Sequence, residues 1–407
     1  MMTRINLTLS KENLHQLISG DDQGMSTLLK EVLDQVLEHQ RTEQVEANHY
    51  ERTGDRKGYR NGYKPRNLTT RVGRITLRIP QIREGTFSTE LFQRYQRNEQ
   101  ALVLTLMEMV VNGVSTRKIS RITEELCGTE FSASTVSNLC KRLDPIVKGW
   151  NERSLDGQAF PFVLVDAIVM KIREDGRVRP HSALIAVGIN ESGHREILGM
   201  QIGNSETEAS WTEFFKALKA RGLSGMDLIV SDDHKGLVKA VQTCFQGVAW
   251  QRCQTHFTKN ILDACPKKLQ AEMKGRLRTV FEANNTETSR KLAREIADEY
   301  ADKAPKAVET LERGFDDATA VLALPEYYRR KLRTTNSVER LNEELRRRER
   351  VIRIFPNRES AQRLIGAVLV EKHEEWSAVR RYFDMKEYWE WKKGQKSTGE
   401  NESRISA

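Results

Sequence analysis

The sequence predicts an α/β core on a mixed five-stranded sheet, split by an all-helical insertion and preceded by an α+β region. Three observations predict it. First, three apolar runs of β type follow one another: Phe162-Val-Leu-Val-Asp166, His181 to Ile189, and Glu196 to Ile202. The last two are joined through a hairpin loop, Asn190-Glu-Ser-Gly193. Second, strands and helices then alternate. Ser205-Glu-Thr-Glu208 reads as a capping box opening a helix to Arg221, Met226 to Val230 as a strand, Lys235 to about Phe245 as a helix, and Val248 to Arg252 as a fifth strand. Third, the stretch from about Thr258 to Leu324 is charged and helical in pattern, with no strand signal. Three strands, helix, strand, helix, strand is the order of a ribonuclease-H-like domain. A doubly wound nucleotide-binding fold would alternate from its first strand and follow that strand with a Gly-rich loop, and neither feature is present.

The region before the core has its own grammar. Leu28, Leu29, Val32, Leu33, Val36 and Leu37 recur at helical spacing, which fits a docking, dimerisation or DNA-contact helix. From Gly54 to Pro80 the texture turns to Gly, Tyr, Arg and Thr. Ile75 to Ile79 alternate strictly with polar residues, giving a half-buried strand whose other face is arginine-rich, and Arg71, Arg74 and Arg78 are candidate DNA contacts. Gly113 to Leu126 predicts a helix capped by Ser115. After a turn near Gly128 comes Ser132 to Leu143, opening with Ser134, Thr135 and Ser137 and closing with Lys141 and Arg142. That arrangement fits a helix-turn-helix, with small polar side chains where base edges are read. The expected organisation is a helical element at 1–50, a basic β-rich DNA-binding segment at 51–98 and a helix-turn-helix domain at 99–150. The core follows in two parts, 156–257 and 331–392, around a helical insertion at 258–330. A Gly, Ser, Lys and Glu-rich tail at 393–407 is expected to be disordered.

Composition sets the partner class. The chain has 407 residues, with 66 Lys+Arg against 57 Asp+Glu and a net charge of +9. Between Glu51 and Arg97 there are twelve Lys+Arg and four acids, a local net of +8, so nearly all the excess sits there. A second stretch, Arg329 to Arg353, holds ten Lys+Arg against four Glu. Concentrated positive charge gains from counterion release on phosphates, so nucleic acid is the expected partner. DNA is preferred to RNA because no aromatic stacking module is apparent. No run approaches the roughly 18 apolar residues of a membrane span, and the first ten residues lack the apolar stretch of a secretion signal. Five scattered cysteines, an odd number, point to a reducing cytoplasmic setting rather than a disulfide framework.

The acids of the core carry the candidate chemistry. Asp166 ends a run that is otherwise Val and Leu, where a carboxylate needs a cation or a donor. Asp232 and Asp233 follow a second apolar strand. Carboxylates on adjacent strand ends make an oxygen-rich site for Mg²⁺ or Mn²⁺, and a third acid would complete a two-metal centre. Glu339 is the third candidate, in Thr334-Thr-Asn-Ser-Val-Glu-Arg-Leu-Asn342. With Asn336 read as N-cap it falls at the third helical position, where a glutamate also suits a capping box, so cap and ligand both remain open. Cys253 and His256 have the spacing of half a zinc site, but no second pair follows.

These residues resemble the bacterial members of the Mutator-like transposase family. The stretches that carry the resemblance are Val165-Asp-Ala167, Ser231-Asp-Asp-His-Lys-Gly236, Gln251-Arg-Cys-Gln-Thr-His256, Thr334 to Asn342, and Ile354-Phe-Pro-Asn357. The resemblance implies a DDE triad of Asp166, Asp232 and Glu339 on a ribonuclease-H-like fold, spaced by 66 and 107 residues, holding two Mg²⁺ ions for which Mn²⁺ can substitute. Family members often carry a small residue where this chain has Asp233, which leaves Asp233 as an alternative to Asp232. His234, Cys253, His256, Arg340 and Asn342 become neighbours of the site, and Lys235, Arg346 and Arg347 candidate DNA contacts. The implied activity is cleavage and strand transfer at the terminal inverted repeats of an insertion sequence, by a nucleoid-associated homodimer and through a circular DNA intermediate. The rival readings are a non-catalytic DNA-binding regulator and a nuclease that cuts without joining.

Overall fold

Alternating burial in one strand organises the N-terminal part of the chain. The computed structural model describes residues 7–12, 15, 24–83, 85–91, 98–128, 130–378 and 381–405, in two compact units, Met1–Lys141 and Arg142–Ala407. In the first unit β1 (Tyr59–Thr70) and β2 (Gly73–Arg83) form an antiparallel hairpin. Ile75 and Leu77 are buried while Arg74, Thr76 and Arg78 face out, the alternation the sequence predicts. The partner strand β1 was not legible, because its exposed polar residues give no apolar period. Helix α1 (Gly24–Val45) covers the apolar face through Leu37, with Leu29 and Leu33 at the edge. One turn further on, Arg41 is only 2% exposed. Its guanidinium donates to the Glu38 carboxylate, to Tyr63 Oη at 2.8 Å and to the Gly62 carbonyl at 3.2 Å. Burial would raise the Glu38 carboxyl, but Arg41, Tyr63 and Arg60 outweigh it and hold the group below its ordinary value.

Three short helices complete this unit: α2 (Gln100–Val111), α3 (Thr116–Cys127) and α4 (Ala133–Cys140). Ser115 caps α3 by accepting from the Lys118 N–H, and Gly128 ends it in the left-handed conformation at φ 59°. Ser132 caps α4 by accepting from the Thr135 N–H. Ile119, Val136 and Cys140 are buried between them.

The second unit opens with α5 (Asp144–Asn151) and contains the five-stranded sheet. Its strands are β3 (Phe162–Glu174), β4 (Arg177–Ile189), β5 (Arg195–Gly203), β6 (Leu228–Ser231) and β7 (Ala249–Arg252), in the order β5-β4-β3-β6-β7. Pairing is antiparallel among β3, β4 and β5 and parallel from β3 to β6 to β7, so the expected mixed sheet is present. The first strand is longer than the sequence reading, which ended it at Asp166. Ile168, Met170 and Ile172 continue the buried alternation, and the hairpin turns only at Asp175 and Gly176, both at positive φ. The far end of β3 is met by Phe355, whose N–H donates to the Lys171 carbonyl at 2.9 Å.

Helices α6 (Glu208–Ala220) and α7 (Lys235–Cys244) pack Trp211, Phe215 and Leu237 on Val163, Val165 and Leu184. Trp211 is thus core. The capping box is corrected as well: Thr207, not Ser205, caps α6 by accepting from the Ser210 N–H at 3.2 Å.

After β7 come α8 (Gln254–Asp263), α9 (Gln270–Phe281), α10 (Thr286–Tyr300) and α11 (Pro305–Thr319), around Phe257, Leu277, Ile296 and Phe315. Buried Gln251 of β7 ties this helical part to the sheet by donating to the Ala318 carbonyl at 2.8 Å and accepting from the Val321 N–H at 2.7 Å. The chain continues through α12 (Glu326–Leu332), α13 (Asn336–Ile352), α14 (Arg358–Ala378) and α15 (Lys386–Ile405). Helix α15 extends to Ile405. No helix among the described residues is long and apolar enough to cross a membrane.

Gly193, in the β4–β5 turn, sits at φ 89°, and a Cβ there would lie 2.0 Å from the Phe383 carbonyl oxygen. Its own carbonyl accepts from the Tyr382 and Phe383 N–H groups at 2.8 and 3.1 Å. Gly193→Ala is expected to destabilise this unit by roughly 2–4 kcal/mol, read from the urea midpoint. An unchanged midpoint would show that the turn and the Phe383 segment are not clamped together.

Candidate active site

Strand register brings the first two acids together. The last parallel pair between β3 and β6 is Leu164 with Val230, and Asp166 and Asp232 each lie two residues beyond it. Both therefore stand where the β3–β6 ladder has just ended. Asp166 falls on the β3 face opposite the α6–α7 core, because Val163 and Val165 take that core face. Its Oδ1 accepts from the Ala167 N–H at 2.8 Å and its Oδ2 from Asn342 Nδ2 at 2.7 Å. Asn342 belongs to α13, one turn beyond Glu339, so this bond draws the glutamate-bearing helix onto the strand. Burial pushes the Asp166 carboxyl up to about 7, with the nearby Asp232 and Glu206 charges adding to it. The Ala167 N–H and His256 oppose the shift. Asn342 is itself buried, and its Oδ1 has no donor.

Glu339 is not a backbone cap. Thr335 precedes the helix, which places Glu339 at its fourth position, and the Thr335 N–H goes to Cys253 Sγ at 3.4 Å. The Thr335 hydroxyl lies 3.0 Å from Glu339 Oε1 and 3.3 Å from the same sulfur. His256 Nε2 stands 3.9 Å from Glu339 Oε1. Hydrogen bonding to Cys253 raises the imidazole to about 9, against burial, with Glu339 and Asp232 contributing. Burial alone would raise the Cys253 thiol, but His256 and Thr335 bring it below its ordinary value. Cys253 thus hydrogen-bonds a cationic His256 among the acids, and His256 is the positive charge placed near Asp166, Asp232 and Glu339. Ligand atoms of Cys253, His256 and Glu339 lie within 4.8 Å of one another. Among the described residues no fourth group joins them, whereas a structural zinc site takes four.

The second aspartate pair separates cleanly. Asp233 Oδ2 is 2.9 Å from Arg252 Nη2, and that guanidinium lies over the Phe257 ring at 4.4 Å. Asp232 instead accepts from the His234 N–H at 3.3 Å, in the turn that starts α7. One acid near this centre was missed. Glu206 Oε1 lies 3.7 Å from His234 Nδ1, and burial, with Asp232, raises its carboxyl. It was read as the interior of a capping box. The signal that could have found it is Gly236, where a Cβ would meet the Glu208 nitrogen at 2.6 Å. Only glycine there lets the start of α6 close on the start of α7.

The remaining candidates lie elsewhere. Arg74 and Arg78 line the exposed face of β2, Arg78 over the Tyr63 ring at 4.2 Å, while Arg71 pairs with Glu99 at 3.1 Å. Ser134 is exposed, Thr135 and Ser137 half-buried, and Lys141 and Arg142 exposed in a 3₁₀ turn after α4. Lys235 and Arg346 are exposed, and Arg347 pairs with Glu344 at 2.9 Å. Arg340, next to Glu339 in α13, lines a cavity with Leu341 and Glu344.

The Cys253 hydrogen bond predicts that Cys253→Ser in the metal-free protein returns the His256 titration from about 9 toward the ordinary histidine range, followed by NMR. An unmoved titration would mean that the acids alone hold the charge.

The profile of the family described as Transposase, Mutator family, matches residues 2–379. The chain is 45% identical over 388 residues to the transposase for insertion sequence element IS256 in transposon Tn4001 of Staphylococcus aureus, covering 94% of this chain and 99% of that one. It is 42% identical over 392 residues to the transposase for ISRM5 of Rhizobium meliloti, covering 96% and 98%. It is 40% identical over 340 residues to that for IS1081 of Mycobacterium tuberculosis, covering 83% and 82%. A match over nearly the whole chain, and relatives aligned along most of their own length, place it plainly: the chain belongs to the Mutator family of transposases.

Proposed function

We propose that this transposase cuts and joins the DNA ends of an insertion sequence at one site built from Asp166, Asp232 and Glu339. The observation that carries the reading is the shared register of Asp166 and Asp232 at the end of the β3–β6 ladder, closed by the Asn342 bond from the helix that bears Glu339. The sheet order and the helical part between β7 and α13 support a ribonuclease-H-like core.

The donors suit Mg²⁺ or Mn²⁺. They are carboxylate oxygens, burial raises the Asp166 carboxyl, and the buried Asn342 Oδ1 is an acceptor without a donor. Asp166, Asp232 and Glu339 would hold two ions, which activate the attacking oxygen and neutralise the leaving one. In the first reaction a water oxygen attacks the scissile phosphorus and the P–O3′ bond breaks, leaving a 3′-hydroxyl and a 5′-phosphate. In the second, that hydroxyl attacks a phosphodiester of another strand or site, and the displaced 3′-oxygen leaves with a proton. His256, held cationic by Cys253, places positive charge near the phosphate undergoing transfer.

The arginine face of β2 is proposed to contact backbone phosphates, and α3 with α4 to act as the helix-turn-helix that reads the inverted repeats. Joining two ends calls for a homodimer on DNA, and the pathway is proposed to pass through a circular intermediate. The setting is the bacterial nucleoid.

The test is cleavage and joining of DNA carrying both ends, with Mg²⁺ or Mn²⁺. Asp166→Ala, Asp232→Ala and Glu339→Ala are expected to lose at least about a thousandfold in rate while still binding the ends, and Asp233→Ala to keep activity. Binding without cutting by every protein, wild type included, would favour a regulator. Cutting without joining would favour a nuclease. A second expectation concerns pH. Below about 7 a proton occupies Asp166 and competes with the ion, so Mn²⁺ affinity should rise through that pH and level off above it, by calorimetry. Affinity that is flat from pH 5.5 to 8.5 would remove Asp166 from the ligand set.

A further inference from the structure

The helix that carries Glu339 has a second working side. Ser337, Arg340, Leu341 and Glu344 of α13 line a cavity of about 550 Å³. At 100° per residue these positions cluster on the side of the helix opposite Glu339 and Asn342. Five cations reach this cavity: Arg195, Arg330, Lys331, Arg340 and Lys372. Glu344, the one carboxylate in the lining, is paired with Arg347 and Arg348, each at 2.9 Å.

Arg195 is the informative member. It is half-buried, with its guanidinium 4.2 Å from the Trp376 ring and 4.5 Å from that of Tyr382. Among the described residues no carboxylate lies within ion-pair distance of it. Burial lowers its pKa, with Tyr382 and Glu375 opposing and Arg340 pushing the same way as burial. A partly desolvated guanidinium held over two rings, with no carboxylate within ion-pair distance among the described residues, is set up to receive an anion. Gly193 keeps it there, because the turn just before Arg195 is clamped to Tyr382 and Phe383.

The cavity and the acids meet at the N-terminus of α13. Thr334 and Asn336 line the cavity, while Thr335 between them contacts Glu339. A strand leaving the acids therefore passes round one helix end to reach Arg195, a path of a few nucleotides for a helix about 10 Å across. A duplex presents its phosphates on a convex surface and cannot fill a recess. One unpaired nucleotide can, with its phosphate on the guanidinium groups and its base against the aromatic edge.

We propose that this cavity, bounded by Arg195, Arg340, Trp376 and Tyr382, holds one unpaired nucleotide of the DNA strand that adjoins the scissile phosphate. This rests on the strand-transfer reading, and it adds that the enzyme works on DNA opened beside the cut.

The full-length protein is tested on end-containing duplexes in which one to four nucleotides flanking the cut are either paired or mismatched. One flanking thymidine is replaced by 5-iododeoxyuridine for photo-crosslinking and peptide mapping. Wild type is expected to bind the mismatched DNA about tenfold more tightly than the paired form and to crosslink within residues 376–382. Arg340→Gln and Trp376→Ala should remove that preference while leaving affinity for paired ends unchanged. Arg195→Gln is run beside them with its urea midpoint as a control for folding. Crosslinks that map elsewhere, or equal affinity for both DNAs, overturn the nucleotide site while leaving the strand-transfer reading intact. No binding to either DNA overturns both. Short oligothymidylate added before irradiation should displace the strand and suppress its crosslink, and inorganic phosphate should not. Displacement by phosphate alone at comparable concentration would assign the cavity to a lone anion and overturn the proposal.

Discussion

A carboxylate inside a sheet is the constraint on which the C-terminal unit depends. Asp166 occupies a strand position flanked by buried Val and Ile residues, and burial raises its carboxyl to about 7. Such a group is costly unless neighbouring groups satisfy it. Here the neighbours come from three separated parts of the chain: the Ala167 N–H, the amide of Asn342 in α13, and the positive charge of His256 in α8. Each also fixes an element. The Asn342 bond holds α13 to β3, and Thr335 joins the start of α13 to Cys253 at the start of α8.

The long separation between the second and third acids follows from that arrangement. The helical part between β7 and α13 has its own core around Phe257 and Phe315, and it is fastened to the sheet through the buried amide of Gln251. Chain length inserted between two fixed attachment points costs little entropy once it folds on itself. The 107 residues from Asp232 to Glu339 therefore do not loosen the site.

Positive charge is used in two different ways. On the hairpin of the N-terminal unit it is spread over an exposed strand face, with buried Arg41 and Glu38 holding the scaffold beneath. In the C-terminal unit it is gathered into a recess and pinned against aromatic rings. The first arrangement suits a duplex backbone and the second a single nucleotide, because a flat basic face meets many phosphates and a recess meets one.

The elements whose side chains carry a period were legible. The apolar runs of β4 to β7, the alternation in β2 and the helical stretch after β7 all follow from patterning, as does the grouping of Asp166 and Asp232 after apolar runs. Strand β1 was hidden because its residues are mostly polar and exposed, and the far half of β3 because Lys171 and Arg173 alternate with its buried residues and break the continuous apolar run. By itself the sequence determined which acids end up near a sheet edge and where the positive charge lies, since both depend on local composition. Only the tertiary structure decided that Asp233 turns to Arg252, that Glu206 joins His234, and that Arg340 and Arg195 line one cavity. Those choices depend on backbone register and on close approaches at Gly236 and Gly193, which are set by residues distant in the chain and leave no periodic trace in it.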